Sequence, residues 1–175
     1  MVSQKHYSAI SIINHWITVI LVITMLTLGF AAVGAPSDEV EDYVMSIHIA
    51  LGFFVFLFIA WRIAFRLYEG FPEREEKTAI ERWAAYIGHR TLLLLLGILV
   101  ITGPMYLLTE NECIDVFGWF SVCVPLEGLD FMHEAMEWLH VVIGLYLLPA
   151  LIVIHTLAGI RHYILSDADT NSTDI

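Results

Sequence analysis

Charged side chains are scarce in this chain, and positive ones are the scarcest. Of 175 residues, 15% are charged and 58% are hydrophobic, and eight Lys and Arg stand against nineteen Asp and Glu. The mean hydropathy of +0.74 is far above that of a soluble domain, so water is not the main solvent of this protein. The few basic residues form no stripe that could bind a nucleic acid.

Long apolar runs account for most of this composition. A helix needs roughly 20 largely apolar residues, at about 1.5 Å rise each, to cross a membrane. Four segments meet that length: residues 8–33, 44–66, 89–108 and 136–161. The first is longer than the apolar core of a signal peptide, so we expect it to be a retained helix. The sequence therefore predicts one domain over residues 1–175, an all-α integral membrane four-helix bundle.

The basic residues all lie on one side of such a bundle. They precede the first span, surround the connection between the second and third spans, or follow the fourth: Lys5, Arg62, Arg66, Arg74, Lys77, Arg82, Arg90 and Arg161. The positive-inside rule therefore predicts that both termini are cytoplasmic. The connections at 34–43 and 109–135 carry ten acidic residues and no Lys or Arg, so they would face outward. Such a face would attract a basic partner and repel an anion.

The connections contain further structural signals. Pro36 interrupts the first one, and Ser37 or Asp38 is expected to cap the helix that follows. The long outer loop holds the two cysteines, Cys113 and Cys123, which an oxidising compartment would allow to form a disulfide, with two free thiols as the alternative. The same loop is apolar at 116–120 and 122–126, so we expect it to fold back on the bundle or to meet a partner.

Histidines are almost the only ionisable residues inside the predicted spans. His15 and His155 lie near the cytoplasmic ends of the first and fourth spans, and His48 and His140 lie near the outer ends of the second and fourth. Ionisable groups within a bilayer are costly and are functional candidates. A neutral imidazole is a common metal ligand, and a haem iron bound from both sides needs two that face each other. The pattern therefore predicts two haem sites, one in each leaflet.

The fourth span supplies one histidine to each pair. His140 and His155 are 15 residues apart. In a helix this separation is about 22 Å along the axis and about 60° around it, so both can face one interior. Three of the four histidines are followed one turn later by a glycine that could leave room for a flat macrocycle: Gly52, Gly144 and Gly159. Close helix packing through small residues is the alternative.

Several residues at the cytoplasmic boundary are secondary candidates. His89 and His162 could donate a hydrogen bond to a haem propionate or a quinone carbonyl, although histidines at an interface usually do neither. Arg62 and Arg66 could also bind a propionate, but arginines at the end of a span are more often lipid-headgroup anchors. His133 lies 22 residues before His155, too far along a helix to replace His140.

The residues around these histidines resemble the bacterial cytochrome b561 family, which also looks like the b-type cytochrome subunits of membrane hydrogenases and formate dehydrogenases. The resemblance covers all four spans. It rests on Ile13-Asn14-His15-Trp16, Ile47-His48-Ile49 with Arg62 and Arg66, Gly88-His89-Arg90 and the run from His155 to Tyr163. It implies that His15 and His155 hold an inner haem b and that His48 and His140 hold an outer one.

One feature departs from the family. The family usually spaces the two histidines of the fourth span one residue closer than this sequence does. Pro149 lies between them. A proline removes a backbone donor and can accompany a local wide turn, which would absorb the extra residue and restore the facing of His140.

Two histidine ligands on each iron leave no coordination position for a substrate, so the haems would conduct electrons and no catalytic residue is expected. We expect a di-haem cytochrome of the bacterial inner membrane that passes electrons between an outer-face partner and ubiquinone or menaquinone. A basic periplasmic redox protein or a dehydrogenase subunit would suit the acidic face.

Three alternatives remain. The resemblance also implies superoxide oxidation coupled to quinone reduction, which the acidic outer loops disfavour because they repel an anion. The chain could instead be the membrane anchor of a larger oxidoreductase. A haem-free metal transporter would need a polar path, and between His48 and Phe65 the second span has no residue more polar than Trp61 except Arg62.

Overall fold

The fold is a bundle of four helical rods closed at one end by a small hairpin. A computed structural model describes residues 8–70, 78–124 and 126–172. Its helices are α1 (Ala9–Val33), α2 (Asp38–Glu69), α3 (Ala79–Thr109), α4 (His133–Val142) and α5 (Leu148–Ser172). Among these residues four stretches are long and apolar enough to cross a membrane, because Asp130–His162 forms one rod. The predicted all-α integral membrane bundle is thereby confirmed.

The helices begin earlier than the apolar runs. The apolar part of the second span was predicted to begin at residue 44, after a helix start capped by Ser37 or Asp38, and α2 does begin at Asp38 with Ser37 as its cap. The Ser37 hydroxyl accepts a hydrogen bond from the Val40 N–H, and acidic residues in the first turn favour the positive end of the helix dipole. In the same way Thr78 caps α3 through the Glu81 N–H, so that this helix begins at Ala79, ten residues before the predicted span. Each charged end turn is helical although it is not apolar.

The fourth rod contains the predicted wide turn. A π-helical segment, Ile143–Leu147, joins α4 to α5, and the Leu148 N–H donates to the Ile143 carbonyl. A π-turn adds one residue to a helix without breaking it. It ends two residues before Pro149 and lies between His140 and His155. The extra residue in this span is therefore absorbed locally, as expected.

The long loop after α3 folds back on the bundle, as expected. Strands β1 (Ile114–Val116) and β2 (Phe120–Val122) form an antiparallel hairpin, and a Cys113–Cys123 disulfide joins the residues that flank it. Val116 is fully buried and packs with Leu108 against apolar residues that include Phe53 of α2. The Asp115 carboxylate accepts the Gly118 N–H at 2.8 Å and so closes the turn.

Apolar side chains fill the centre and also cover the outside of the rods. The central cluster is formed by Val22, Val55, Ile59, Leu96, Ile143 and Leu148, so every rod contributes. On the outside, Ile20, Leu94 and Val153 are each more than half exposed. Lipid rather than water suits such a surface.

The two ends of the bundle differ in charge. We call the end that carries residues 34–37 and 110–129 the acidic end, and the opposite end, where Glu69, Ala79 and Arg161 lie, the basic end. Three of the basic residues used for the orientation, Lys5, Arg74 and Lys77, lie outside the described residues.

Arg66 is not the exposed lipid anchor that its position suggested. It is only 8% exposed. Its guanidinium donates to the Ser11 hydroxyl and the Gly70 carbonyl and forms an ion pair of 3.4 Å with Glu69. The Glu69 carboxylate also accepts the hydroxyls of Ser8 and Ser11, each at 2.8 Å. This network joins α1 to α2 at the basic end because a buried guanidinium needs partners that lipid does not supply.

Glu69→Ala is expected to destabilise the bundle, because it leaves a buried guanidinium without its carboxylate. We expect a loss of about 2 kcal/mol, below the range for fully buried pairs because Glu69 is partly exposed. The matched control is Glu81→Ala, which removes the exposed Arg161–Glu81 pair of 3.1 Å at the same end. Thermal unfolding in detergent should show a clear shift for the first variant and none for the second. Equal shifts would contradict this account of Arg66.

Candidate functional site

Four of the predicted site histidines meet in two pairs inside the bundle. The rings of His15 and His155 have centres 6.5 Å apart near the basic end. The rings of His48 and His140 have centres 6.2 Å apart near the acidic end. The structure thus brings these residues together in the pairs that matching depth predicted.

The ring separations suit a metal held between two imidazoles. With each nitrogen about 2 Å from the metal on opposite sides, the ring centres would be about 6.4 Å apart. Within the described part of the chain, no three His, Cys, Asp or Glu side chains converge as a metal-binding group. A bare ion would therefore have few protein ligands here, whereas a porphyrin supplies the remaining ligands itself. The ring separations of both pairs agree with the distance expected for an iron between two imidazoles.

The ring of His140 is held by α3. Its Nδ1 lies 3.1 Å from the Leu99 carbonyl oxygen and 3.3 Å from the Thr102 hydroxyl. The Thr102 hydroxyl donates to the Ile98 carbonyl at 2.9 Å, so the Leu99 carbonyl is the natural acceptor for the His140 Nδ1–H. An imidazole that donates through Nδ1 presents Nε2 as the metal-binding lone pair.

His48 of α2 lies opposite His140, with ring centres 6.2 Å apart. Its Nδ1 is buried and has no hydrogen-bond partner among the described residues. The Met25 carbonyl interacts with this ring but does not meet hydrogen-bond geometry at Nδ1. The orientation of the His48 ring is therefore less tightly fixed than that of His140.

Two glycines that the sequence analysis missed flank the pair at the acidic end. A Cβ on Gly103 would lie 2.8 Å from Cε1 of His140, which is closer than real Cβ atoms come. A Cβ on Gly29 would lie 3.8 Å from Cε1 of His48. Gly103 therefore admits the His140 ring against α3. The only sequence signal was the run Thr102-Gly103-Pro104 in a leucine-rich span.

The three glycines that the sequence did predict have different surroundings. A Cβ on Gly159 would meet no described atom within 4 Å. On Gly52 it would contact the end of the Met25 side chain, and on Gly144 the end of the Leu99 side chain, both at 3.5 Å. Open space therefore exists only beside Gly159, while Gly52 and Gly144 have the close contacts of the packing alternative.

The pair at the basic end has additional polar neighbours. His89 of α3 has its ring centre 5.4 Å from that of His155. Arg62 and Arg66 lie near enough to His15 for their charges to act on it. His162 is on α5 at the same end with an exposed side chain. His15 is itself exposed, so this site is more open than the one at the acidic end, where both rings are half-buried.

His133 stands apart from both pairs and has a role in packing. Its Nδ1 lies 3.1 Å from the Tyr106 carbonyl, and its Nε2 lies 3.2 Å from the Glu110 carboxylate. Its ring also packs on that of Tyr106, with centres 4.8 Å apart. His133 therefore joins the beginning of α4 to the end of α3.

Comparison with known proteins agrees with this geometry. The sequence pattern of the prokaryotic cytochrome b561 family matches residues 6–171, which is nearly the whole chain. No curated protein matches it individually. The family consists of membrane cytochromes that bind b-type haem and transfer electrons, which suits paired imidazoles between apolar helices. The chain therefore belongs to the prokaryotic cytochrome b561 family.

Proposed function

We propose that this chain holds two haem b groups and carries electrons through the membrane between a redox partner at the acidic end and a quinone. The inner haem would be held by His15 and His155, and the outer haem by His48 and His140. The observation that carries the proposal is the two ring separations, 6.5 and 6.2 Å, each matching two imidazoles on one iron.

The chain's own residues define what these sites can do. A haem bound in this way supplies an iron that gains and loses one electron. If both imidazoles of a pair held the iron, they would keep substrates away from it, and substrates would react elsewhere. The central apolar cluster, with Ile59 fully buried and Leu148 only 2% exposed, lies between the two pairs and excludes water. His140 and His155 place the two sites about 22 Å apart along the fourth rod.

Polar groups at the basic end would contact the inner haem and the quinone, ubiquinone or menaquinone. His89 is supported by its ring contact with His155, and Arg62 by its electrostatic interaction with His15. For His162 the only support for such a contact is its position at the basic end. We assign them to propionate or quinone-carbonyl contacts.

The acidic end favours a basic protein as the electron partner. The hairpin is anchored through Val116, while Phe117, Trp119 and Phe120 on it are 45%, 74% and 45% exposed. Aromatic side chains among acidic groups suit the surface of a small basic redox protein or a dehydrogenase subunit. Superoxide oxidation is only the second candidate, because superoxide is an anion and the acidic end would repel it. By the positive-inside rule the basic end would face the cytoplasm of a bacterial inner membrane.

Alanine at each of the four histidines should remove one haem. We expect wild-type chain to contain two haems, and His48→Ala or His140→Ala to lose the outer one while the inner one stays. His15→Ala and His155→Ala should do the reverse. Pyridine haemochrome quantitation with reduced-minus-oxidised spectra of purified protein would measure this. Thr24→Ala, which removes an exposed hydroxyl that donates only to the Ile20 carbonyl of its own helix, is the control and should retain both haems. A full haem content in any of the four ligand variants would refute its assignment.

Gly103→Ala should weaken the outer site without touching its ligands. The new methyl group would displace the His140 ring, so we expect the outer haem content to fall at least about twofold. Gly97→Ala on the same helix is the matched control, because its Cβ would meet only the end of the Ile63 side chain at 3.4 Å. Haem content and the outer haem spectrum are the readouts. An unchanged content and spectrum of the outer haem in Gly103→Ala would show that this glycine does not determine the position of the His140 ring.

Electron exchange with a basic soluble cytochrome c should depend on salt. We expect the second-order rate to fall about tenfold between low and high ionic strength, because the acidic end steers a cation. Replacing Glu110 and Glu112 by Gln should reduce both the rate and its salt dependence. Glu81→Gln at the basic end is the control. Stopped-flow absorbance would follow the reaction. A second-order rate constant that does not change with ionic strength would exclude electrostatic steering by the acidic end.

A further inference from the structure

The beginning of α3 extends beyond the apolar part of its span. The helix has 31 residues, about 46 Å at about 1.5 Å each, whereas the hydrocarbon core of a membrane is about 30 Å thick. Its apolar part begins near residue 89, so residues 79–88 lie at the level of the lipid headgroups at the basic end. The proposed electron path does not use this segment, in which Trp83 and Tyr86 are 61% and 49% exposed.

An open groove lies on this segment, and we call it the α3 groove. Its volume is about 260 Å³, and it is lined by Arg82, Trp83 and Tyr86. The rings of Trp83 and Tyr86 meet edge to face, with centres 5.6 Å apart. The Arg90 guanidinium lies 3.5 Å from the centre of the Tyr86 ring and donates to the Tyr86 carbonyl at 3.3 Å. The next turn of the helix therefore holds the Tyr86 ring, which forms one wall of the groove.

The α3 groove carries a positive charge that no carboxylate balances. Arg82 is exposed, and within residues 8–70, 78–124 and 126–172 its guanidinium has no hydrogen-bond or ion-pair partner. The adjacent carboxylate, Glu81, is already engaged, because it accepts the Thr78 hydroxyl at 3.0 Å and the Arg161 guanidinium at 3.1 Å. A planar guanidinium beside lipid headgroups suits a phosphate group, which it can bind through two parallel hydrogen bonds.

An apolar stripe continues from the α3 groove toward the centre of the membrane. Ile87 and Leu94 follow Trp83 by four and eleven residues, which places all three on one side of the helix. Ile87 and Leu94 are 56% and 62% exposed. A molecule with an anionic head and an apolar tail therefore matches both parts of this surface, whereas a soluble phosphate ion would use only the groove.

We propose that the α3 groove binds the headgroup phosphate of an anionic phospholipid, with an acyl chain along Ile87 and Leu94. Arg82 donates to the phosphate, and Trp83 and Tyr86 flank it at the depth where aromatic side chains are enriched in membrane proteins. An anionic lipid is favoured over a zwitterionic one because the groove holds no carboxylate for an ammonium group. The inference goes beyond the proposed function and does not rest on haem binding.

The test is native mass spectrometry of the purified full chain in detergent, with phosphatidylglycerol and phosphatidylcholine of identical acyl chains added in turn. We expect the chain to bind phosphatidylglycerol at least about fivefold more tightly, since one Lys or Arg near a membrane surface contributes attraction of that order. Arg82→Gln should abolish this preference, and Arg82→Lys should retain part of it. The matched control is Lys5→Gln, which removes the same charge from a residue that precedes α1 and should keep the preference.

A second variant tests the aromatic wall of the groove. Trp83→Leu should weaken the binding of phosphatidylglycerol, because it removes the ring that lies against Tyr86. Trp138→Leu is its control, since Trp138 is equally exposed, at 63%, but lies on α4 near the acidic end. The control should leave the preference for phosphatidylglycerol unchanged.

Three outcomes would overturn the inference. Equal affinity of the wild-type chain for the two lipids would mean that the groove does not select an anionic headgroup. An equal loss in Arg82→Gln and Lys5→Gln would mean that the lipid responds to net charge and not to this groove. Displacement of phosphatidylglycerol by inorganic phosphate would mean that the groove takes a soluble anion, and the lipid assignment would be wrong. None of these outcomes bears on the haem content, so the proposed function is tested separately.

Discussion

The rest of this structure depends on one constraint, the separation of about 6 Å between the ring centres of two paired imidazoles. Each pair joins two different helices, so a small slide or rotation of either one would open or close the gap. The bundle limits such movement at both ends. At the basic end the Arg66–Glu69–Ser11 network fixes α1 against α2, and at the acidic end His133 and the disulfide-linked hairpin fix the loop and α4 against α3.

The fourth rod shows how local backbone geometry serves this constraint. It carries His140 and His155, one for each pair, and its π-turn lies between them. The turn absorbs a residue that would otherwise rotate one histidine relative to the other. Pro149 is tolerated in this rod because it lacks a backbone N–H and follows a turn in which the hydrogen-bond pattern is already altered.

The sequence was sufficient where simple physical rules apply. The cost of an ionisable group in a bilayer singled out His15, His48, His140 and His155, and helix length gave their depths. The sequence was insufficient where the role of a residue depends on a contact with a residue distant in the chain. Nothing near Arg66 in the sequence reveals that Ser11 accepts its hydrogen bond, and nothing near Gly103 reveals that His140 rests against it. Apolar length alone would also have made the helices too short, because it ignores charged but well-capped turns; the start of α2 was predicted from its cap, Ser37, rather than from its hydropathy.

The central claim is that each imidazole pair holds one iron from both sides. Electron paramagnetic resonance of the oxidised, purified chain, combined with a haem-to-protein ratio, tests it most directly. We expect two haems per chain, both low-spin, with no signal that changes on addition of cyanide. A single haem, or a high-spin signal that cyanide converts, would contradict it, because an iron with an open axial position cannot be held between two histidines.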